Sequence, residues 1–326
     1  MIIEDKYTTS WHPAYDDLCE LAKDWPYECD DIFEGKDKYP MYYFRYGKGP
    51  RRLVIAGRVH GHEPAGTTGT IAFLKSLADL SEKDESTWYN NLTIDVIPMV
   101  NVDAAIRYAQ LVPDSYPQNA FKETENDFEN FINIMTSPGR ALFNNLSMRV
   151  HHLESATLKE MKVKDIPLGT LYNDEGIEPA RDWTEQKSKH IKALLKFLQK
   201  EKTEYFINIH CHERPTEIYI PFTDEQDVQI QELSNYGKKL TEILRKQNIP
   251  CTTKKECSHY HVKGISINYL YAHLGIKGFL WEVNSGYKFP PSFKDILKED
   301  YNQPSLTKSE MTKTVCTLLT NFLEQI

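Results

Sequence analysis

Short apolar runs alternate with segments of helical periodicity along most of this chain, and this alternation constrains the fold more than any other feature. The apolar or alternating runs are short enough for strands and lie at 52–56, 92–100, 204–210, 216–222 and 278–283. The helical patterns begin at Pro64, where proline suits a first helical turn, and cover 184–200, 225–247 and 305–326. The sequence therefore predicts an α/β fold with a mixed, mostly parallel sheet and helices on both faces.

One stretch breaks the alternation. Residues 109–170 contain Pro113, Pro117 and an acidic patch at 123–129, and they show no clear strand. We interpret this stretch as an insertion of helices and loops over one side of the core. Because no internal repeat or low-complexity linker divides the chain, we predict a single domain over residues 1–326.

Charge and cysteine usage exclude several classes of protein. The net charge is −8 and no block of lysine and arginine stands out, which argues against a nucleic-acid partner. The six cysteines are scattered without a CxxC pair, a pattern typical of reduced thiols. No signal-peptide pattern and no apolar run of membrane-spanning length is visible. We expect a cytoplasmic protein without a membrane partner, and the sequence leaves its oligomeric state open.

Three chemically useful side chains fall at or just after predicted strand ends. These are His60, His210 and Glu282. In open α/β sheets, ligands bind outside the carboxyl ends of the strands. We therefore expect the three side chains to share one site.

The sequence His60-Gly61-His62-Glu63 forms a glycine-containing turn between a strand and a helix. Such a turn can bring His60 and Glu63 to one metal ion, and His62 would then point elsewhere. Zinc prefers nitrogen and oxygen ligands, and a catalytic zinc site keeps one position for water. The alternative is a polar turn with surface histidines.

His210 ends an apolar strand and is a candidate third ligand. Strand alternation puts Cys211 on the opposite face, so we assign it to the core. Glu282 lies inside another apolar strand, where a carboxylate is costly unless it is paired or functional. Burial tends to raise the pKa of a carboxyl group, which suits a general acid or base. The alternatives are a structurally satisfied histidine and a glutamate that reaches solvent.

Together and in this order, these pieces resemble the zinc metallocarboxypeptidase family (carboxypeptidase A-like). The resemblance covers about residues 10–290. Its pieces are the opening at 15–21, the unit His60–Glu63, the turn 101–104, the segment 172–183, His210 and Glu282. It implies one Zn²⁺ per chain bound by His60, Glu63 and His210, with Glu282 as general base.

The same resemblance implies substrate contacts. Arg181 matches the arginine that binds the terminal carboxylate of the substrate, and Tyr260 falls where the family carries a mobile tyrosine. Ile267 falls where the family sets side-chain preference, which favours an apolar or aromatic C-terminal residue. The alternatives are a surface aromatic for Tyr260 and a core position for Ile267.

Two positions depart from the family pattern. Ala180 replaces the asparagine partner of Arg181, and Leu171 falls near the expected position of the arginine that polarises the scissile carbonyl. We expect Arg107 to take over that task, with Arg140 and Arg149 as alternatives. A purely structural role is the other interpretation of Arg107.

The sequence thus predicts a zinc metallocarboxypeptidase that hydrolyses a C-terminal peptide or amide bond of a substrate with a free carboxylate. Two hydrolase alternatives remain open: a deacylase of small N-acyl amino acids and a peptidase of peptidoglycan fragments. From another class, a catalytically silent binding module is the remaining alternative, which Leu171 and Ala180 favour.

Overall fold

The computed structural model describes residues 15–80, 88–111, 169–212, 215–222, 227–255, 266–284 and 308–326. Its strands are β1 Cys29–Asp31, β2 Tyr42–Tyr46, β3 Arg51–Gly57, β4 Leu92–Ile97, β5 Tyr205–His212, β6 Thr216–Ile220, β7 Cys251–Lys255 and β8 Lys277–Asn284. Its α-helices are α1 Tyr15–Asp24, α2 Ala65–Asp79, α3 Val102–Leu111, α4 Lys189–Lys200, α5 Val228–Lys246, α6 Ser266–Leu274 and α7 Lys308–Leu323, with a 3₁₀ turn at Pro179–Arg181.

The eight strands form one mixed sheet in the order β1-β2-β4-β3-β5-β8-β6-β7. Its centre is parallel: β4, β3, β5 and β8 run side by side, and β6 pairs with β7 in parallel. The β1–β2, β2–β4 and β6–β8 pairs are antiparallel. The predicted mixed, mostly parallel sheet is confirmed.

Both faces of the central strands carry apolar side chains because helices cover both. On one face, Trp281 of β8 packs edge-on against Phe322 of α7. On the other, Ile267 of α6 lies against Gly278, where a Cβ atom would approach its Cγ2 atom to 2.9 Å. A side chain at position 278 would therefore displace α6. Parallel strands between two helical layers are buried on both faces. This explains the continuous apolar runs in the sequence.

Buried charges far from the candidate site are paired within the sheet. The carboxylate of Asp95 accepts from the Nε atoms of Arg45 and Arg52, each at 2.7 Å. Arg52 also donates to the Phe197 carbonyl of α4. Each charge in this group has a defined partner, so we assign the group to the fold and not to chemistry.

The predicted insertion at 109–170 lies almost wholly outside the described residues. Its first residues belong to α3, which continues to Leu111, and Thr170 lies in a turn. Within the described ranges, no helix combines the length and the apolar character that crossing a lipid bilayer requires.

A buried histidine gives the fold an expected pH dependence. His190 of α4 is fully buried, and its Nδ1 atom lies 3.2 Å from the Asn173 side-chain nitrogen. Burial, together with the charge of Lys189, lowers the pKa of His190 to about 3. The unfolded chain, with a histidine pKa of about 6.5, binds this proton first. His190 therefore contributes stability above pH 6.5 that is lost as the pH falls towards 3.

Between pH 7.5 and 5.5, this proton should lower the free energy of unfolding by about 1.4 kcal/mol. A His190→Gln variant should lack that part of the pH dependence, whatever its absolute stability. Urea unfolding at the two pH values measures the difference, and His273→Gln, which changes an exposed histidine, is the matched control. Equal pH dependence in wild type and His190→Gln would contradict the assignment.

Candidate metal centre

The HxxE unit occupies the turn from β3 into α2. Gly61 is required there because a Cβ atom would lie 2.3 Å from the Ala104 carbonyl oxygen of α3. The Glu63 amide donates to the His60 carbonyl, which closes the turn. Pro64 follows at the helix start, where no amide hydrogen is needed. The tight turn therefore brings His60 and Glu63 to the same side.

His210 of β5 completes a compact group. The Nδ1 atom of His60 lies 2.7 Å from Oε1 of Glu63, and the Nδ1 atom of His210 lies 3.0 Å from Oε2. The two imidazole rings are 5.1 Å apart between centroids. One ligand atom from each of the three residues lies within 4.8 Å of the others. The sequence expectation that these three residues meet agrees with this geometry.

The electrostatics of the group favour positive charge. Burial lowers the pKa of His60, but the carboxylates of Glu63 and Glu178 outweigh it and raise that pKa to about 10. Burial raises the pKa of Glu63, but His60 and His210 outweigh it and hold that pKa well below its usual range. The same carboxylates that favour a proton on His60 would favour a divalent cation.

The donor set fits zinc. Two imidazole nitrogens and one carboxylate are zinc ligands of ordinary type, and three protein ligands leave a position for water. The Nε2 atom of His210 is buried and finds no hydrogen-bond partner among the described residues. His60 and His210 thus both direct Nδ1, and not Nε2, towards the Glu63 carboxylate.

Glu178 is a site residue that the sequence analysis did not single out. It precedes the 3₁₀ turn, and its Oε1 atom lies 3.4 Å from Nε2 of His60. Metal-bound histidines commonly direct their second ring nitrogen to a carboxylate, which fixes the ring and strengthens the ligand. The position lies within the segment 172–183 that carries the family resemblance, but no local pattern marks Glu178 itself.

Glu178→Gln should weaken zinc binding by about 10- to 100-fold, because the amide supports His60 less well than a carboxylate. Competition with a chromogenic chelator measures the zinc dissociation constant. Glu185→Gln, at a largely solvated position, is the control and should bind zinc like wild type. An unchanged dissociation constant in Glu178→Gln would show that Glu178 does not support the ligand.

Glu282 lies next to the third ligand across the sheet. It pairs in register with His210 of β5, and on its other side with Glu217 of β6. Residues in register point to the same face of a sheet, and neighbouring strands lie about 4.8 Å apart. The Glu282 side chain therefore lies on the same face of the sheet as His210, one strand away.

The predicted substrate residues lie in different surroundings. Arg181 ends the 3₁₀ turn with its Nε atom 3.8 Å from Oε1 of Glu178, so it borders the centre. Ile267 is fully buried against Gly278, which agrees with its core interpretation, and its role in side-chain preference stays a prediction. Tyr260 lies outside the described residues.

Arg107 contacts a loop and not the three ligands. Its guanidinium donates to the carbonyls of Gly169 and Tyr172 at 2.9 and 3.0 Å and pairs with Asp174. These contacts match the structural interpretation of Arg107, and its catalytic role stays a prediction. The alternatives Arg140 and Arg149 lie outside the described residues.

Solved metallocarboxypeptidases share the fold of this chain. Bovine thrombin-activatable fibrinolysis inhibitor matches with a TM-score of 0.60 and 14% identity over 98% of both chains. A metallo-carboxypeptidase from Burkholderia cenocepacia matches with a TM-score of 0.58 and 11% identity, over 97% of this chain and 70% of that one. Carboxypeptidase A from Helicoverpa armigera matches at 0.57 and 13%, over 96% and 73%.

At the level of sequence, no protein-family model and no curated protein matches the chain. The structural matches nevertheless extend over nearly all of it. At the level of the fold, they confirm the resemblance drawn from the ordered motifs. This chain has the zinc carboxypeptidase-like fold.

Proposed function

We propose that this protein is a zinc-dependent metallocarboxypeptidase. The observation that carries the proposal is the convergence of His60, Glu63 and His210 in one buried group with Glu282 in register beside it. A structural zinc site would use four protein ligands and would not need a carboxylate next to them. Three ligands and a neighbouring base are what hydrolysis by an activated water requires.

When bound, zinc supplies Lewis acidity at the scissile carbonyl and lowers the pKa of a coordinated water. Glu282 would accept the proton of the attacking water and later donate it to the leaving nitrogen. Glu63 and the imidazoles of His60 and His210 would hold the metal, and Glu178 would orient His60 through its second ring nitrogen. Burial of Glu63 and His210 strengthens their charge interactions.

Arg181 supports action at chain ends. A guanidinium can bind a carboxylate through two parallel hydrogen bonds, and Arg181 borders the metal centre. A substrate held by its terminal carboxylate would present its last amide bond to the metal. This geometry favours release of a single C-terminal residue.

Hydrolysis of a substrate panel tests the proposal. The panel contains N-blocked dipeptides with varied C-terminal residues, their C-terminal amides, N-acyl amino acids and γ-glutamyl peptides. The zinc-loaded protein should release the C-terminal residue from the blocked dipeptides and spare their amides, and a chelator should abolish turnover. A zinc-loaded protein that hydrolyses no member would contradict the proposal and favour a silent binding module.

A deacylase of small N-acyl amino acids is the second candidate. Ala180 favours it, because alanine offers no side-chain amide beside Arg181 to help hold a terminal carboxylate. In the same panel, turnover of the N-acyl amino acids alone, each split into its acyl carboxylate and a free amino acid, would select this candidate. Action on peptidoglycan fragments would appear as turnover of the γ-glutamyl peptides.

We also propose that the protein works in the cytoplasm. The five cysteines in the described residues are free thiols, which agrees with a reducing compartment. Fractionation of cells that produce the protein tests this location.

A further inference from the structure

His62 borders the three ligand residues without joining them. Its side chain is buried, and its ring stacks parallel to that of His60 with centroids 5.7 Å apart. Its Nε2 atom lies 3.8 Å from Oε1 of Glu63. A third imidazole, which is buried, therefore lies beside the group formed by His60, Glu63 and His210.

Contacts with Thr170 and Tyr108 hold the ring of His62 in place. Its Nδ1 atom lies 3.1 Å from the hydroxyl oxygen of the fully buried Thr170, and its other edge meets Tyr108 of α3. The Gly61 amide donates to the Thr170 carbonyl at 2.8 Å, which ties the same loop to the HxxE turn. These contacts fix both the position of His62 and the direction of its Nε2 atom.

The surroundings also select a tautomer. The Thr170 hydroxyl can donate or accept, so it fits either tautomer. A lone pair on Nε2 would face the Glu63 carboxylate, whereas a hydrogen there is attracted to it. The favoured form of neutral His62 thus accepts from Thr170 at Nδ1 and carries its hydrogen on Nε2. The ring presents a hydrogen-bond donor to the metal centre.

The position that follows Thr170 carries no side-chain donor. Leu171, next to Thr170, is apolar and buried, so it offers no side-chain hydrogen bond. Arg107, the cation predicted for this task, directs its guanidinium to the carbonyls of Gly169 and Tyr172. The loop instead contributes by holding His62.

We propose that His62 is a further catalytic residue, which donates its Nε2 hydrogen to the carbonyl oxygen that becomes negative when water attacks the substrate. The proposal rests on the proposed hydrolase function. Stabilising a developing oxyanion with a fixed donor is typically worth about 10²- to 10³-fold in kcat.

Two substitutions of His62 separate the effect of the position of the hydrogen-bond donor from the effect of side-chain volume. Glutamine places its amide nitrogen near the position of Nε2, whereas asparagine places its amide near Nδ1. In His62→Asn, kcat should fall by about 10²-fold with little change in KM, and His62→Gln should recover about tenfold of this loss. His273→Gln is the exposed control and should match wild type.

Two readouts besides turnover complete the experiment. The zinc dissociation constant, from chelator competition, should stay within about threefold of wild type in both variants, because His62 is not a ligand. A phosphinic dipeptide analogue, which carries a tetrahedral anion, should bind to His62→Asn more weakly by about the same factor as the loss in kcat/KM.

Each outcome is decisive. A large loss of zinc affinity in both variants would make His62 a metal ligand and overturn the donor role. Unchanged kcat and analogue binding in His62→Asn, with an active wild type, would overturn the role of His62 alone. A zinc-loaded wild type that neither turns over the panel nor binds the analogue would overturn the proposed function together with the role of His62.

Discussion

Glu282→Gln should lower kcat by about 10³-fold while zinc remains bound with nearly wild-type affinity. The amide keeps the shape of the side chain but cannot accept the proton of the attacking water. Glu282 lies in register with His210 and is not one of the three converging ligands, so metal binding does not depend on it. Steady-state kinetics and zinc titration of the same preparation measure the two effects separately.

Glu217→Gln is the matched control for this experiment. Glu217 is the register partner of Glu282 on β6, is equally part of the sheet, and bonds to Lys254 and Tyr219. Because Lys254 lies on β7, at the edge of the sheet and on the side of β6 away from β8 and β5, kcat should stay within about tenfold of wild type. Near-normal turnover in Glu282→Gln would contradict the assignment of the general base.

His210→Ala should abolish both zinc binding and turnover. Removing one of three protein ligands leaves His60 and Glu63, which are adjacent on one turn and cannot enclose the ion. In wild type, zinc at 100 times its dissociation constant should raise the free energy of unfolding by about 2.7 kcal/mol. The variant should show no such increment at the same zinc concentration.

Denaturant unfolding with zinc and with chelator measures this increment. His273→Ala, which removes an exposed histidine from α6, is the control and should keep the full zinc effect. A His210→Ala protein that binds zinc within about tenfold of wild type would show that the metal lies elsewhere.

The central sheet could be predicted because its strands are apolar on both faces. The runs at 52–56, 204–210 and 278–283 correspond to β3, β5 and β8 with ends shifted by one or two residues. The run at 92–100 was too long, because β4 ends at Ile97, where Pro98 offers no amide hydrogen for the ladder.

Other elements could not be predicted from the sequence, because tertiary packing defines them and hydrophobic periodicity does not. The edge strands β1 and β7 have the sequences CDD and CTTKK, which contain no apolar run. The helix predicted from 184 begins only at Lys189, since Ser188 caps it. The side chain of Asp182 accepts from the amides of Lys187 and Ser188, which holds the preceding turn.

The candidate site likewise contains a part that could be predicted from the sequence and a part that could not. The convergence of His60, Glu63 and His210, with Glu282 in register beside His210, could be predicted because a short turn and two parallel strands carry these residues near one edge of the sheet. Cys211 is buried with its sulfur against the Ala65 amide, as strand alternation indicates. The contacts of Glu178 with His60 and of Thr170 with His62 join residues more than 100 positions apart. No local pattern encodes such pairs.

Anomalous diffraction at the zinc edge from crystals of the zinc-loaded protein tests the central claim most directly. The account predicts one peak about 2.0–2.2 Å from Nδ1 of His60, a Glu63 oxygen and Nδ1 of His210, with the fourth position open to water beside Glu282. A peak elsewhere would contradict it. So would a fourth protein ligand such as His62, because a closed tetrahedral site is structural.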